Sequence, residues 1–265
     1  MSSNNDSIKK TVTVALSLCL VCSVVVAAAA VGLKPLQQTN KDLDRKQNIL
    51  AAADMLDPSR SIDEVFQSIE TRLVNFDTGE FATQAELDEA GIDLANYDQK
   101  AASKDPATSV ALSAEKDIAS IKRRANYGIV YLVMNGDDID RIILPVHGYG
   151  LWSTMYGFMA LESDFKTVIG FGFYDQAETP GLGGEVDNPV WKGYWKGKEV
   201  YNPQGNVALG LVKGAVDAKD PNAKYKVDGL SGATLTSRGV TNLVHYWLGK
   251  EGFGPLLANL RGEGA

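Results

Sequence analysis

Residues 11–33 contain no charged side chain, reading TVTVALSLCLVCSVVVAAAAVGL. As a helix rising about 1.5 Å per residue, this run spans about 34 Å, enough to cross a hydrocarbon core of roughly 30 Å. One element is thereby fixed before any other: an apolar helix that anchors whatever follows. A cleaved signal peptide is the competing reading, since Lys9 and Lys10 precede the run and small residues follow at Ala27, Ala28, Ala29 and Ala30. A signal's apolar region is only about 7–15 residues long, so the length favours a retained anchor. Lys34, Lys41, Arg45 and Lys46 also lie near its far end, mixed with Asp42 and Asp44, so charge alone assigns no orientation. A long polar part after a single N-terminal span is the layout of an exported domain. Residues 1–10 are then a cytoplasmic tail, the span sits in a bacterial inner membrane, and the remainder lies in the periplasm.

Composition excludes several partners. The net charge is −7, whereas a nucleic-acid partner needs a basic face. His147 and His245 stand far apart with no neighbouring cysteine, which argues against a protein metal site. Cys19 and Cys22 have the spacing of a redox pair, yet among Val, Leu and Ala they read as small hydrophobes. With no other cysteine, the soluble part has neither a disulfide nor a cysteine-bound iron–sulfur cluster.

After the anchor, residues 34–60 read as a polar helical stretch broken at Asp57-Pro58. Ser61-x-x-Glu64 is a capping box, with Ile62, Val65, Phe66, Ile69 and Leu73 on one face of the helix it opens. Thr83-x-x-Glu86 opens a second, short acidic helix. Residues 98–123 are polar and read as loop or surface helix, and nothing in 34–123 carries chemistry. From Tyr127 the texture becomes β: residues 127–134 and 139–146 flank Asn135-Gly136 as a hairpin. Residues 167–174, 207–213 and 224–227 are further strands, while 153–161 and the segment after Thr236 are the helices available to cover the sheet. The class is α+β: one transmembrane helix (11–33), a juxtamembrane and helical region (34–123), and a soluble mixed α/β domain (124–265).

The chemistry concentrates in residues 228–237, Asp-Gly-Leu-Ser-Gly-Ala-Thr-Leu-Thr-Ser. An amphipathic helix follows, with Val240, Leu243, Val244, Trp247 and Leu248 at helical spacing. Just ahead of a helix start, unpaired N–H groups and the dipole favour a phosphate. Ser231, Thr234, Thr236 and Ser237 add hydroxyls, and Gly232 permits close approach. An ordinary N-cap with spare hydroxyls accounts for the same residues. Two glycine-bearing stretches offer apolar walls and backbone donors to a flat ligand. They are Gly148-Tyr149-Gly150-Leu151-Trp152-Ser153 and Glu178-Thr179-Pro180-Gly181-Leu182-Gly183-Gly184. Each also fits a plain turn between strands.

Asp228-x-x-Ser231-Gly232-Ala233-Thr234-x-Thr236 resembles the motif read by the bacterial flavin transferase, which takes FMN from FAD and joins its phosphate to the last threonine. The resemblance implies a phosphoester-bound FMN on Thr236, with Asp228, Ser231, Gly232, Ala233 and Thr234 as the rest of the recognition sequence. A phosphodiester keeps one negative charge, which a helix N-terminus stabilises by roughly 0.3–1 kcal/mol. With residues 150–160 and 178–185, the motif resembles, over about residues 145–250 and in matching order, the C subunits of sodium-translocating NADH:quinone oxidoreductases. That family implies flavin contacts from Trp152, Glu178, Thr179, Leu182 and Gly183, and from Ser231, Gly232, Ala233 and Thr234. Lys213 would put a positive charge near a reduced ring, or is a solvated strand-end lysine.

The implied role is an electron relay with no catalytic residue of its own, in a six-subunit membrane complex that passes electrons from NADH to ubiquinone and exports sodium. No Gly-x-Gly-x-x-Gly stretch lies between a strand and a helix, so NADH binds elsewhere. One span is too few for a sodium path. Two alternatives share parts of the pattern: the G subunit of an Rnf-type ferredoxin:NAD oxidoreductase, and a membrane-tethered binding domain with no redox role.

Overall fold

A computed structural model describes residues 7–263, so the first six residues of the expected cytoplasmic tail lie outside the described residues. The chain clusters into two compact units, residues 1–45 and 46–265. Most of the first is helix α1 (Ile8–Ala52), whose most apolar 18-residue stretch has a mean hydropathy of 2.7. Among the described residues, it is the one helix long and apolar enough to cross a membrane. Cys19 and Cys22 are free and exposed on it.

The second unit opens with the last turns of α1 and α2 (Ile62–Phe66), followed by β1 (Ile69–Asn75), β2 (Glu80–Phe81), α3 (Gln84–Glu89) and α4 (Gln99–Ala102). Next come β3 (Ser109–Ala111), β4 (Arg123–Ala125), β5 (Tyr127–Asn135), β6 (Asp138–Tyr149), β7 (Thr154–Glu162) and β8 (Val168–Asp175). The chain then runs through α5 (Pro189–Gly193), β9 (Gly210–Leu211), β10 (Lys226–Val227), α6 (Thr234–Trp247) and α7 (Gly254–Leu260). The main sheet has the order β2-β1-β5-β6-β7-β8, antiparallel throughout. The segment before residue 124 therefore supplies two strands to the sheet that carries the segment after it.

Several sequence expectations change. Residues 153–161 form strand β7 instead of a helix, because Met155, Met159 and Leu161 are buried on one face of the sheet and Phe158 and Ala160 on the other. A strand covered on both sides loses its two-residue alternation and can pass for a helix. The helix opened by Ser61 ends at Phe66, and Ile69 and Leu73 point the same way from β1. Helix α1 ends at Ala52, ahead of Asp57-Pro58, where Asp54 takes φ +55° and the Arg141 guanidinium donates to the Ala53 carbonyl at 2.5 Å. The strands expected over 207–213 and 224–227 shorten to the parallel pair β9 and β10.

Both faces of the sheet are covered. Val130, Leu132, Ile142, Leu144 and Met159 pack with Val240, Leu243 and Trp247 of α6 and Leu257 of α7. On the other face Ile129, Tyr131, Ile143 and Phe158 meet Ile49 and Leu50 of α1, Val65 of α2 and Leu87 of α3. Fully burying such an aliphatic side chain is worth about 1.5–3 kcal/mol, so each layer fixes its helix firmly. The Trp247 indole donates to the His147 carbonyl at 2.6 Å, setting the register of α6 along β6.

Candidate functional site

Helix α6 starts at Thr234, three residues earlier than the sequence suggested, because the Ser237 N–H already donates to the Ala233 carbonyl at 2.9 Å. Thr234, Thr236 and Ser237 therefore lie inside its first turn. Its cap residue is Ala233, which has no side-chain acceptor for the first-turn amides. Ser237 turns back instead, accepting the Leu230 N–H at 3.1 Å, while Gly232 takes φ +71° to bring the chain round.

At about 100° per residue, Thr236 points away from Thr234, Arg238 and Thr241. The two faces meet different surroundings. Thr236 is 1% exposed, and its hydroxyl donates to Glu178 Oε2 at 2.7 Å. Glu178 is itself only 5% exposed. Its Oε1 accepts the N–H groups of Leu151, Trp152 and Ser153 at 3.0, 2.9 and 3.3 Å. One carboxylate thus ties three elements together: the β6–β7 loop, its own loop after β8, and the start of α6. Two glycines make the fit possible. A Cβ on Gly183 would lie 2.6 Å from Thr236 Oγ1, and one on Gly239 would lie 2.5 Å from the Tyr149 carbonyl oxygen.

On the opposite face, Thr234, Arg238 and Thr241 line a cavity of about 480 Å³ together with Lys213, Ser231 and Gly232. That volume is in the usual range for a small-ligand site. Two cations, several hydroxyls and the open helix start make it suited to an anion. Leu182 lies against Gly232, joining this cavity to the Glu178 side. Trp152, 65% exposed, and the exposed Leu182 and Leu235 supply flat apolar surface around the same turn.

The sequence-predicted residues fall into these two groups. Trp152, Glu178, Gly183 and Thr236 come together on one side; Lys213, Ser231, Gly232 and Thr234 come together on the other. Thr179 is exposed, and its carbonyl accepts the Leu182 and Gly184 N–H groups, closing the loop on itself. Asp228 stands off the cavity wall: its Oδ1 accepts the Val216 N–H and its carbonyl accepts the Trp191 indole, both at 2.9 Å. Arg238 was missed by sequence reasoning. Its signal was position, four residues after Thr234 and hence on the same helical face. His147 lies behind the site on β6, stacked on Tyr156. Burial, and second the charge of Lys100, push it down to about 4, so it is neutral near pH 7.

An FMN-binding domain family matches residues 150–249. A Pseudomonas aeruginosa protein, named as the C subunit of a Na(+)-translocating NADH-quinone reductase, is 53% identical over 97% of this chain and 98% of its own length. One of the same name from Vibrio parahaemolyticus is 51% identical over 100% and 99%. The crystal structure of Shewanella oneidensis NqrC is similar with a TM-score of 0.72 and 35% identity, covering 83% of this chain and 97% of that one.

Proposed function

The chain belongs to the C subunits of Na(+)-translocating NADH-quinone reductases, and from that premise we propose that it carries FMN covalently on Thr236 and relays electrons from NADH toward ubiquinone, coupled to sodium export. The observation carrying the reading is the uncapped start of α6, whose first turn holds Thr236 on one face and, on the other, borders a cavity lined by Lys213 and Arg238. The residues present fit FMN. The helix start, Ser231, Gly232, Ala233 and Thr234 suit its phosphate end, and Lys213 and Arg238 add positive charge. Trp152, Glu178, Thr179, Leu182 and Gly183 are the proposed contacts to the ring. Bound there, FMN supplies the electron transfer; the protein orients it and shields one side from water.

Around this site we place the rest of the reading. Residues 11–33 cross the inner membrane, residues 1–10 stay in the cytoplasm and the soluble part is periplasmic, with the flavin domain in 124–265. The other members of a six-subunit assembly are its partners, and a flavin transferase acts on the motif from Asp228 to Thr236 during maturation. A covalent bond suits an exported carrier, since a cofactor lost outside the cytoplasm is not replaced from the cytosolic pool. The relatives are named for the quinone reductase, and nothing observed favours the ferredoxin-linked alternative.

Co-expression with a bacterial flavin transferase tests the reading. The full chain should give an ultraviolet-fluorescent band on a denaturing gel, and Thr236→Ala should abolish it. A dark band beside an active control would leave the Thr236 turn as a plain helix start.

A further inference from the structure

We propose that Glu178 and Gly183 form a latch over Thr236, and that the flavin transferase modifies an opened form in which segment 178–184 has moved off the start of α6. The inference rests on Thr236 being the acceptor. In the closed arrangement that acceptor is out of reach. Its side chain is 1% exposed, its O–H is donated to Glu178 Oε2 at 2.7 Å, and the Gly183 backbone covers the oxygen so closely that a Cβ there would stand 2.6 Å away. In the transfer, the Thr236 Oγ1–phosphorus bond forms as the phosphoanhydride P–O bond of FAD breaks. AMP leaves, and the hydroxyl proton passes to a base of the transferase. Attack of that kind needs an oxygen that a phosphorus can approach in line with its leaving group. An oxygen walled by a carboxylate and a peptide backbone gives no such approach.

The cover has the construction of a movable part. Leu182 and Gly184 donate to the Thr179 carbonyl at 3.1 and 2.9 Å, so the loop keeps its shape by its own bonds. Gly181, at φ +76°, forms its turn, and Leu182 remains exposed above. The Glu178–Thr236 bond is the polar tie between this loop and α6. Glu178's second oxygen, on the N–H groups of Leu151, Trp152 and Ser153, couples the position of the loop to that of Trp152. Glu178 is therefore a positioning residue of the acceptor site. Opening exposes the hydroxyl, and a phosphoester on Oγ1 removes the proton that held the latch shut.

The initial rate of fluorescent-band formation decides, using the detergent-solubilised full chain, purified transferase and FAD. Breaking the latch from either side, in Glu178→Ala or Gly183→Ala, should raise the rate at least about tenfold, the scale of one lost hydrogen bond to a charged group. Glu178→Gln keeps an oxygen for the three amides and an amide that can bond Thr236, so its rate should stay within about threefold of wild type. A Glu178→Ala rate at or below wild type, or a Glu178→Gln chain that is not modified, would overturn the latch and make Glu178 an assisting base. If Glu178→Ala does not fold, a Gly183→Ala rate no faster than wild type overturns it alone. A chain left dark in every arm, or a band that persists in Thr236→Ala, defeats the acceptor assignment itself.

Discussion

Three helix starts in the soluble part are handled in two ways. Ser61 and Glu64 close the start of α2, the Ser61 hydroxyl accepting from the Glu64 amide at 3.3 Å and the Glu64 carboxylate from the Ser61 amide at 2.9 Å. Thr83 and Glu86 do the same for α3, at 3.3 and 2.7 Å. Helix α6, longer than either and richer in hydroxyls at its start, is capped by Ala233 and has no side-chain bond there. Its hydroxyls face elsewhere, Thr236 to Glu178 and Ser237 to Leu230. At α2 and α3 side chains satisfy the first-turn amides; at α6 no side chain does, as the proposed phosphate site requires. Hydroxyl content is thus a poor guide to a cap, and the direction of each hydroxyl is a good one.

The contrast can be broken in several places, with effects of decreasing size. Gly239→Ala brings a Cβ to 2.5 Å from the Tyr149 carbonyl oxygen and 3.0 Å from Gly150 Cα, both backbone atoms that cannot swing aside. It should cost about 1–3 kcal/mol and lower flavin loading, because α6 must part from the Trp152 loop. An unchanged melting temperature would mean that this close approach does not hold the site. Ser61→Ala should cost about 1 kcal/mol in denaturant unfolding while leaving flavin loading intact. Reduced loading would show that the two kinds of helix start are not independent. Ala233→Ser, which supplies the missing acceptor, should stabilise the flavin-free chain by about 0.5 kcal/mol and weaken its stabilisation by inorganic phosphate. An undiminished phosphate effect, read as a melting shift, would put the anion site away from the helix start.

The smallest effect depends on pH. The Ser61 amide first, then its hydroxyl, holds the Glu64 carboxyl below its usual range, and Thr83 acts likewise on Glu86. A carboxyl depressed in the fold contributes stability above its unfolded pKa and loses it as pH falls through the folded value. Acid should therefore weaken α2 and α3 through their boxes, while α6 has no such carboxylate. Flattening of the acid limb in Glu64→Gln and Glu86→Gln, followed by equilibrium unfolding, checks this; an unaltered limb removes the boxes from the account.

Much of the soluble fold was legible where a signal has one meaning. Asn135-Gly136 marked the β5–β6 turn, where Gly136 has φ +65°, and both capping boxes formed at their predicted residues. Spacings with two meanings failed. Ile69 and Leu73 stand four apart, which keeps them on one face of a helix and equally on one face of a strand. Met155, Phe158 and Met159 have helical spacing, but in β7 they serve opposite layers of the core. At the site, the sequence brought out the glycines, the hydroxyls and the exposed Trp152. It contained no trace of the bond between Glu178 and Thr236, which stand 58 positions apart. Only the sheet, by aiming the loop after β8 at the first turn of α6, brings them into contact.

The sheet order also dictates an assembly sequence. Strands β5 to β8 each pair with the next in the chain, so short hairpin closures suffice for that meander. Strand β1 pairs with β5 across a long excursion, Asn75 lying opposite Tyr127. It leaves the ribosome well before its partner and gains its main ladder only once the meander stands. For that interval a strand containing Ile69, Leu73 and Val74, paired only at its end with the two-residue β2, presents an open apolar edge, the kind of surface on which chains of this type stick to one another.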